Sequence, residues 1–98
     1  MTDIDRVIHE PVRLRILSML TGVETADFNF LLSTLGLSRG TLSSHMDKLQ
    51  RAGYVEVKKG FQGKVPHTDY RISQTGRNAL ADYWTALDQI RESCVRTD

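Results

Sequence analysis

Ninety-eight residues are enough for one domain and one core, with about 60–70% of the unfolded chain's surface leaving water on folding, and they leave little room for a second site. Apolar residues make up 40% and charged residues 26%, with a net charge of +1. That is an ordinary water-soluble balance, and no apolar run approaches the ~20 residues of a membrane span. The opening Met-Thr-Asp-Ile-Asp lacks the basic and apolar regions of a secretory leader, and a single cysteine, Cys94, excludes an intrachain disulfide and a cysteine zinc cluster. A cytoplasmic setting is therefore the expectation.

Thr2 to Ile8 reads as a short helical turn carrying Ile4, Val7 and Ile8. Pro11, with Glu10 ahead of it, suits the first turn of a helix over 11–22. Val12, Ile16, Leu17 and Leu20 form its apolar stripe, with Leu14 and Met19 beside it and Arg13 and Arg15 assigned to the outer side. This helix is scaffold. Asp27 caps a second helix over 27–35, where Phe28, Leu31, Leu32 and Leu35 share a face and Gly36 closes it.

Only Gly36, Leu37 and Ser38 separate that helix from a third, over 38–52, which organises the chain. Leu42, Met46 and Leu49 recur at spacings of four and three and point at a core, with Leu37 stapling the entry. Ser38 is the N-cap, and Gly53 supplies a left-handed stop. The other face carries Arg39, Gly40, Thr41, Ser43, Ser44, Asp47, Lys48 and Arg51, a small, hydroxyl-rich and basic surface without Leu, Ile or Phe. Such a face can lie close against a polar, anionic surface such as the major groove of DNA. Two short helices joined by a glycine-containing turn are the helix-turn-helix signature, although the turn alone also fits any helical hairpin in a small bundle.

The segment after the third helix decides between these readings. Tyr54-Val-Glu-Val-Lys-Lys59 alternates, with Val55 and Val57 on one side and Glu56 and Lys58 on the other. Gly60 to Pro66 reads as a loop, and Thr68 to Ile72 alternates again with Tyr70 and Ile72 inward. A β-hairpin over 54–72 with a basic loop, directly after the helix-turn-helix, predicts a wing. Lys58, Lys59, Lys64 and His67 are its candidates for the sugar-phosphate backbone or an adjacent minor groove. Charge agrees with this placement: Ser38 to Ile72 holds seven Lys/Arg against three Asp/Glu, or +4, and the remainder is −3.

Ser73 caps a last helix over 73–92. Leu80, Tyr83, Trp84, Leu87 and Ile90 form its stripe, with Cys94 beyond, and a helix this long outruns a small core. Tyr83, Trp84, Leu87 and Ile90, joined by Ile4, Val7 and Ile8, are the candidate two-fold interface. The alternative is that Trp84 plugs the monomer core. The predicted fold is mainly α with a small antiparallel β-hairpin, an α+β winged helix-turn-helix in one domain over 1–98 with an extended C-terminal dimerisation helix.

Three stretches resemble the small stand-alone winged-helix transcriptional regulators of the ArsR/MarR type: His9 to Leu17 the opening helix, Leu35 to Val55 the recognition helix and wing entry, and Lys59 to Arg77 the wing and start of the closing helix. The resemblance implies a homodimer on a pseudo-palindromic operator. Metal-sensing relatives carry paired cysteines or His/Asp/Glu clusters, and here His9, His45 and His67 are scattered, so no metal or other cofactor is expected. On this reading Arg39 is the first candidate for a base edge, with Ser43 and Ser44 on bases or phosphates. Ser38 and Thr41 suit phosphate at the positive end of the helix, and Lys48 adds sequence-independent affinity. Gly40 either permits close approach or is neutral, and His45 either touches DNA or makes a structural hydrogen bond. No nucleophile is paired with a base and no Gly-rich phosphate cradle comes after a strand, so the chain is not read as an enzyme. The rival function is a winged helix that docks proteins. Thiol sensing by Cys94 is a minor variant, with a bystander role ahead of it.

Overall fold

The computed structural model describes residues 3–95, so Thr2 of the expected N-terminal turn lies outside the described residues. Helix α1 (Pro11–Leu20) starts on a proline whose missing N–H costs nothing there, and the Glu10 carboxylate caps it by accepting from the amides of Val12 and Arg13. It ends two residues before Gly22. A two-residue strand, β1 (Ala26–Asp27), leads into α2 (Phe28–Leu35), where the Asp27 carboxylate accepts from the Phe30 amide and Gly36, at φ +66°, closes the helix. Helix α3 (Arg39–Arg51) comes next, capped by Ser38 and released at Gly53, where φ is +80°.

Strands β2 (Val55–Gln62) and β3 (Val65–Ile72) pair antiparallel from Val55↔Ile72 to Gln62↔Val65, and β1 adds to the other edge of β3 through Ala26↔Tyr70. The stretch 60–66 is therefore ladder rather than loop, closed by a two-residue turn at Gly63-Lys64. Gly63 has φ +64° and no non-glycine residue among the described residues has positive φ, which fits the primed hairpin turn with glycine first. Helix α4 (Gln74–Val95) is capped by Ser73, whose hydroxyl accepts from the Gly76 amide and donates to the Gly53 carbonyl. Gly76 is required there: a Cβ would lie 2.2 Å from the Tyr54 carbonyl oxygen.

Ile8, Ile16, Leu17, Leu20, Leu31, Leu42, Met46 and Leu49 are the largest fully buried side chains, and they join α1, α2 and α3 into one core. Val55, Tyr70 and Ile72 extend it under the sheet, and Leu80, Tyr83 and Ala86 anchor α4. The N-terminal segment is held as well. Asp5 accepts from the amides of Val7 and Ile8 and from the Tyr54 hydroxyl, and burial together with that last bond pushes the Tyr54 pKa up to about 12. His9 Nδ1 bonds the Tyr83 hydroxyl at 2.9 Å, which ties this segment to α4.

Arg13 corrects the reading of α1. Its side chain is 9% exposed, not on the outer surface, with Nε donating to the Val7 carbonyl and Nη1 3.1 Å from His45 Nδ1. The architecture is an α+β winged helix: helix-turn-helix, hairpin wing, and a closing helix. No helix among the described residues is long and apolar enough to cross a membrane.

Candidate nucleic-acid interface

Helix α3 is fixed from behind and open in front. Its buried row of Leu42, Met46 and Leu49 sets the rotation of the helix, and Arg39, Gly40, Thr41, Ser43, Ser44, Asp47 and Lys48 are left exposed. Among the described residues, nothing beyond its chain neighbours and its own helix backbone lies within 4 Å of where a Gly40 Cβ would be, so no tertiary contact there demands a glycine.

The hydroxyls at the start of α3 are arranged by capping. Ser38 Oγ accepts from the Thr41 amide at 3.2 Å and donates to Thr41 Oγ1 at 2.8 Å. Thr41 is thus an acceptor within the pair and keeps its own hydroxyl proton to give to an oxygen outside. Arg39 leans across the neighbouring helix: its guanidinium carbon sits 5.0 Å from the Phe28 ring centroid, and Nη1 donates to Asn29 Oδ1 at 3.3 Å. One of its five N–H donors is so engaged, and the side chain is oriented while most of its donor capacity remains.

At the rear of α3, His45 is a structural residue. Arginine can only donate, so His45 Nδ1 accepts from Arg13 and Nε2 carries the ring proton, 3.7 Å from Glu10 Oε2. Burial raises the Glu10 pKa, but the Arg13 and Val12 amides and the nearby His45 and Arg13 outweigh it and hold the carboxyl below its ordinary value of 4.5. Glu10, Arg13 and His45 therefore brace α3 against α1.

The ladder register sorts the wing. Val57 pairs with Tyr70 over the core, and on the same face, further out, Lys59 pairs with Thr68 and Phe61 with Pro66. Asn29, Arg39, Ser43, Lys59 and Thr68 line a polar cleft of about 300 Å³ between the helix-turn-helix and the wing. Lys58 lies on the opposite face with Glu56, Asp69 and Arg71, where Glu56 and Arg71 are directly opposed and paired at 3.1 Å. His67 Nε2 is bonded to Asp69 Oδ1 at 2.9 Å, and Lys64 occupies the turn. At the other end of α3, Lys48 lies by Arg6 and Arg51, the latter paired with Asp47 at 2.9 Å. The structure thus brings Ser38, Arg39, Thr41, Ser43 and Lys59 to one end of α3 and separates Lys48 and Lys58 from them. Asn29 and Thr68 join the cleft without having been singled out in the sequence. Their signal lay in position, at the first turn of α2 and directly across from Lys59.

The candidate interface residues divide as well. Ile8 is fully buried and Tyr83 is 3% exposed, so both belong to the chain's own core instead of presenting a free surface. Ile4, Val7 and Leu87 are partly buried against that core, whereas Trp84 and Ile90 are 44% and 41% exposed. Trp84 does not plug the core. From Asp88 to Cys94 every side chain of α4 is exposed. Among the described residues, no group of three or more His, Cys, Asp or Glu converges as metal ligands would.

Residues 12–91 match the family described as winged helix DNA-binding domain. The chain is 38% identical over 89 residues to the protein MJ0432 of Methanocaldococcus jannaschii, covering 90% of this chain and 96% of that one. A transcriptional regulator homologue from Pyrococcus horikoshii OT3 has a similar structure, with a TM-score of 0.83 at 26% identity, covering 94% of this chain and 91% of its own. The ArsR family transcriptional regulator RHA00566 shares the fold at a TM-score of 0.61 and 17% identity, over 94% of this chain and 88% of its own.

Proposed function

The chain belongs to the winged helix DNA-binding domain family, and from that premise we propose that it is a sequence-specific transcriptional regulator that binds double-stranded DNA as a homodimer. Its family and fold are those of DNA-binding regulators, not enzymes. Two copies set their α3 helices into successive major grooves of a pseudo-palindromic operator, about 34–36 Å apart. Arg39 reads a base edge, with guanine O6 and N7 as its natural bidentate partner, and Ser43 and Ser44 contact bases or phosphates. Ser38, Thr41 and Lys48 hold phosphates along α3, and Gly40 lets the helix approach closely. Lys58, Lys59, Lys64 and His67 give the wing its hold on the backbone or minor groove, with Lys59 facing the same cleft as Arg39.

The observation that carries this reading is the front of α3: seven polar or small positions stand clear of the protein while three apolar ones lock the helix from behind. The dimer is supported by the exposed Trp84 and Ile90 on a helix whose last turns have no core of their own beneath them.

A titration on genomic DNA fragments at 50 and 200 mM salt is the test. Affinity is expected to fall by about 10³- to 10⁵-fold between the two if a dimer neutralises roughly 6–10 phosphates. Binding that is absent, or indifferent to salt, would instead favour a winged helix that docks proteins.

A further inference from the structure

We propose that the tip of the wing is an apolar wedge, Phe61 on one face and Val65 on the other, which enters and widens the DNA minor groove and favours a deformable pyrimidine–purine step there. The proposal rests on the DNA-binding reading above and adds to it a non-electrostatic contact and a source of sequence preference. Phe61 is 73% exposed and Val65 65%, the highest values for large apolar side chains among the described residues. Five ladder pairs, from Lys58↔Asp69 to Gln62↔Val65, continue beyond Val57↔Tyr70, the last pair seated on the core. At about 3.3 Å per residue they carry the tip roughly 16 Å clear of the body. A folded chain gains nothing for its own core from two large apolar side chains at that distance.

Charge identifies the occupant. Between Lys58 and Thr68 there are three lysines and no carboxylate, so the tip suits a polyanion and repels a second copy of itself. Strand addition is also blocked. Pro66 pairs with Phe61, and β1 reaches only Asp69 and Tyr70, so the outer edge of β3 is free at the tip. A proline in an antiparallel ladder sits with its nitrogen toward that free edge and leaves no N–H there for another strand. The minor groove offers what remains: phosphates for the lysines, and apolar sugar walls or a partly opened base step for Phe61 and Val65. TA and CA/TG steps open most readily, and A-tracts are stiff, so step identity becomes a preference without hydrogen-bonded readout.

The test uses the whole protein and a duplex recovered by selection from a randomised pool, synthesised with either TA or AA at the wing-facing step. Affinity is measured at two salt concentrations and bend angle by end-to-end fluorescence transfer. Phe61→Ala is expected to weaken binding by roughly five- to a hundredfold, the range for one aromatic contact to nucleic acid, to reduce the bend and to erase the TA preference. Its salt slope stays that of the parent because no charge is removed. Lys64→Ala lowers the slope by about one and keeps the step preference. Phe61→Ala and Phe61→Ala/Val65→Ala with unchanged affinity, bend and step preference would overturn the wedge while leaving DNA binding intact. A change in oligomeric state on Phe61→Ala would overturn it in favour of a protein contact. If no selected duplex is bound with salt-dependent affinity, the DNA-binding reading fails first and the wedge falls with it.

Discussion

Arg13 completes a row with Ile16, Leu17 and Leu20 at i, i+3, i+4 and i+7, the spacing of a core face. That row was legible in the sequence, but the charge of Arg13 argued for the outer side. What could not be read was the partner set, because the Val7 carbonyl and His45 reach Arg13 from other parts of the chain. Arg13→Ala should therefore destabilise the fold by about 1.5–3 kcal/mol, the cost of losing hydrogen bonds from a buried charged group, as measured by denaturant unfolding. A surface arginine such as Arg15 gives the contrast: its replacement should stay within about 0.5 kcal/mol. The caps were readable for the opposite reason. Asp27, Ser38 and Ser73 satisfy amides three residues away, so their partners are fixed by chain position alone, whereas the sequence places Glu10 ahead of α1 without assigning it the cap it makes to Val12 and Arg13. Arg39 lies between the two cases. Its place on the front of α3 came from period, but its rest against Phe28 and Asn29 depends on how α2 and α3 cross.

Helical elements were legible from apolar period and terminators, and their limits fell within a few residues of expectation, α1 ending before Gly22 and α4 running to Val95. The sheet was harder. Gly60, Gly63 and Pro66 mark a loop by composition, yet only Gly63 sits in the turn. The others are tolerated in strands because the projecting tip lacks both a third strand and a packed face to penalise them. Strand β1 is two residues long, too short for any alternation to show. Glycines at two helix positions make opposite predictions. Gly76→Ala should destabilise by about 1–3 kcal/mol despite alanine's better helix propensity, because its Cβ meets the Tyr54 carbonyl at 2.2 Å. Gly40→Ala, with open space around it, should raise unfolding stability by up to ~1 kcal/mol. If Gly40 serves close approach to the duplex, the same variant should bind DNA more weakly, and a gain in stability with unchanged affinity would mark the glycine as neutral.

The whole molecule is longer than its size requires. Its radius of gyration is 15.6 Å, against about 13 Å for a typical 100-residue domain, as expected when the wing and α4 both leave the core. One projection carries the wing lysines with Phe61 and Val65 at its tip, and the other an exposed tryptophan and isoleucine on α4; the lysines suit DNA at the first, and Trp84 with Ile90 suits a second subunit at the other. Trp84→Glu combined with Ile90→Glu should convert the dimer to monomer in a sizing experiment and leave thermal unfolding of the subunit cooperative. Because the two half-sites are then bound independently, affinity for a full operator should fall well below that of the parent. A parent that is already monomeric at micromolar concentration would rule out the dimer. Most of this layout was visible in the order of the motifs. The loss of Ile8 and Tyr83 to the subunit core was not, since an apolar stripe does not say which of its members face inward. The most direct test of α3 as the reading surface is selection from a randomised duplex pool by the parent protein and by Arg39→Ala, compared position by position. Arg39→Ala is expected to lose preference at one base pair per half-site, with a penalty of about 1–3 kcal/mol for the parent's preferred base. Identical preferences for the two proteins would contradict that role for α3.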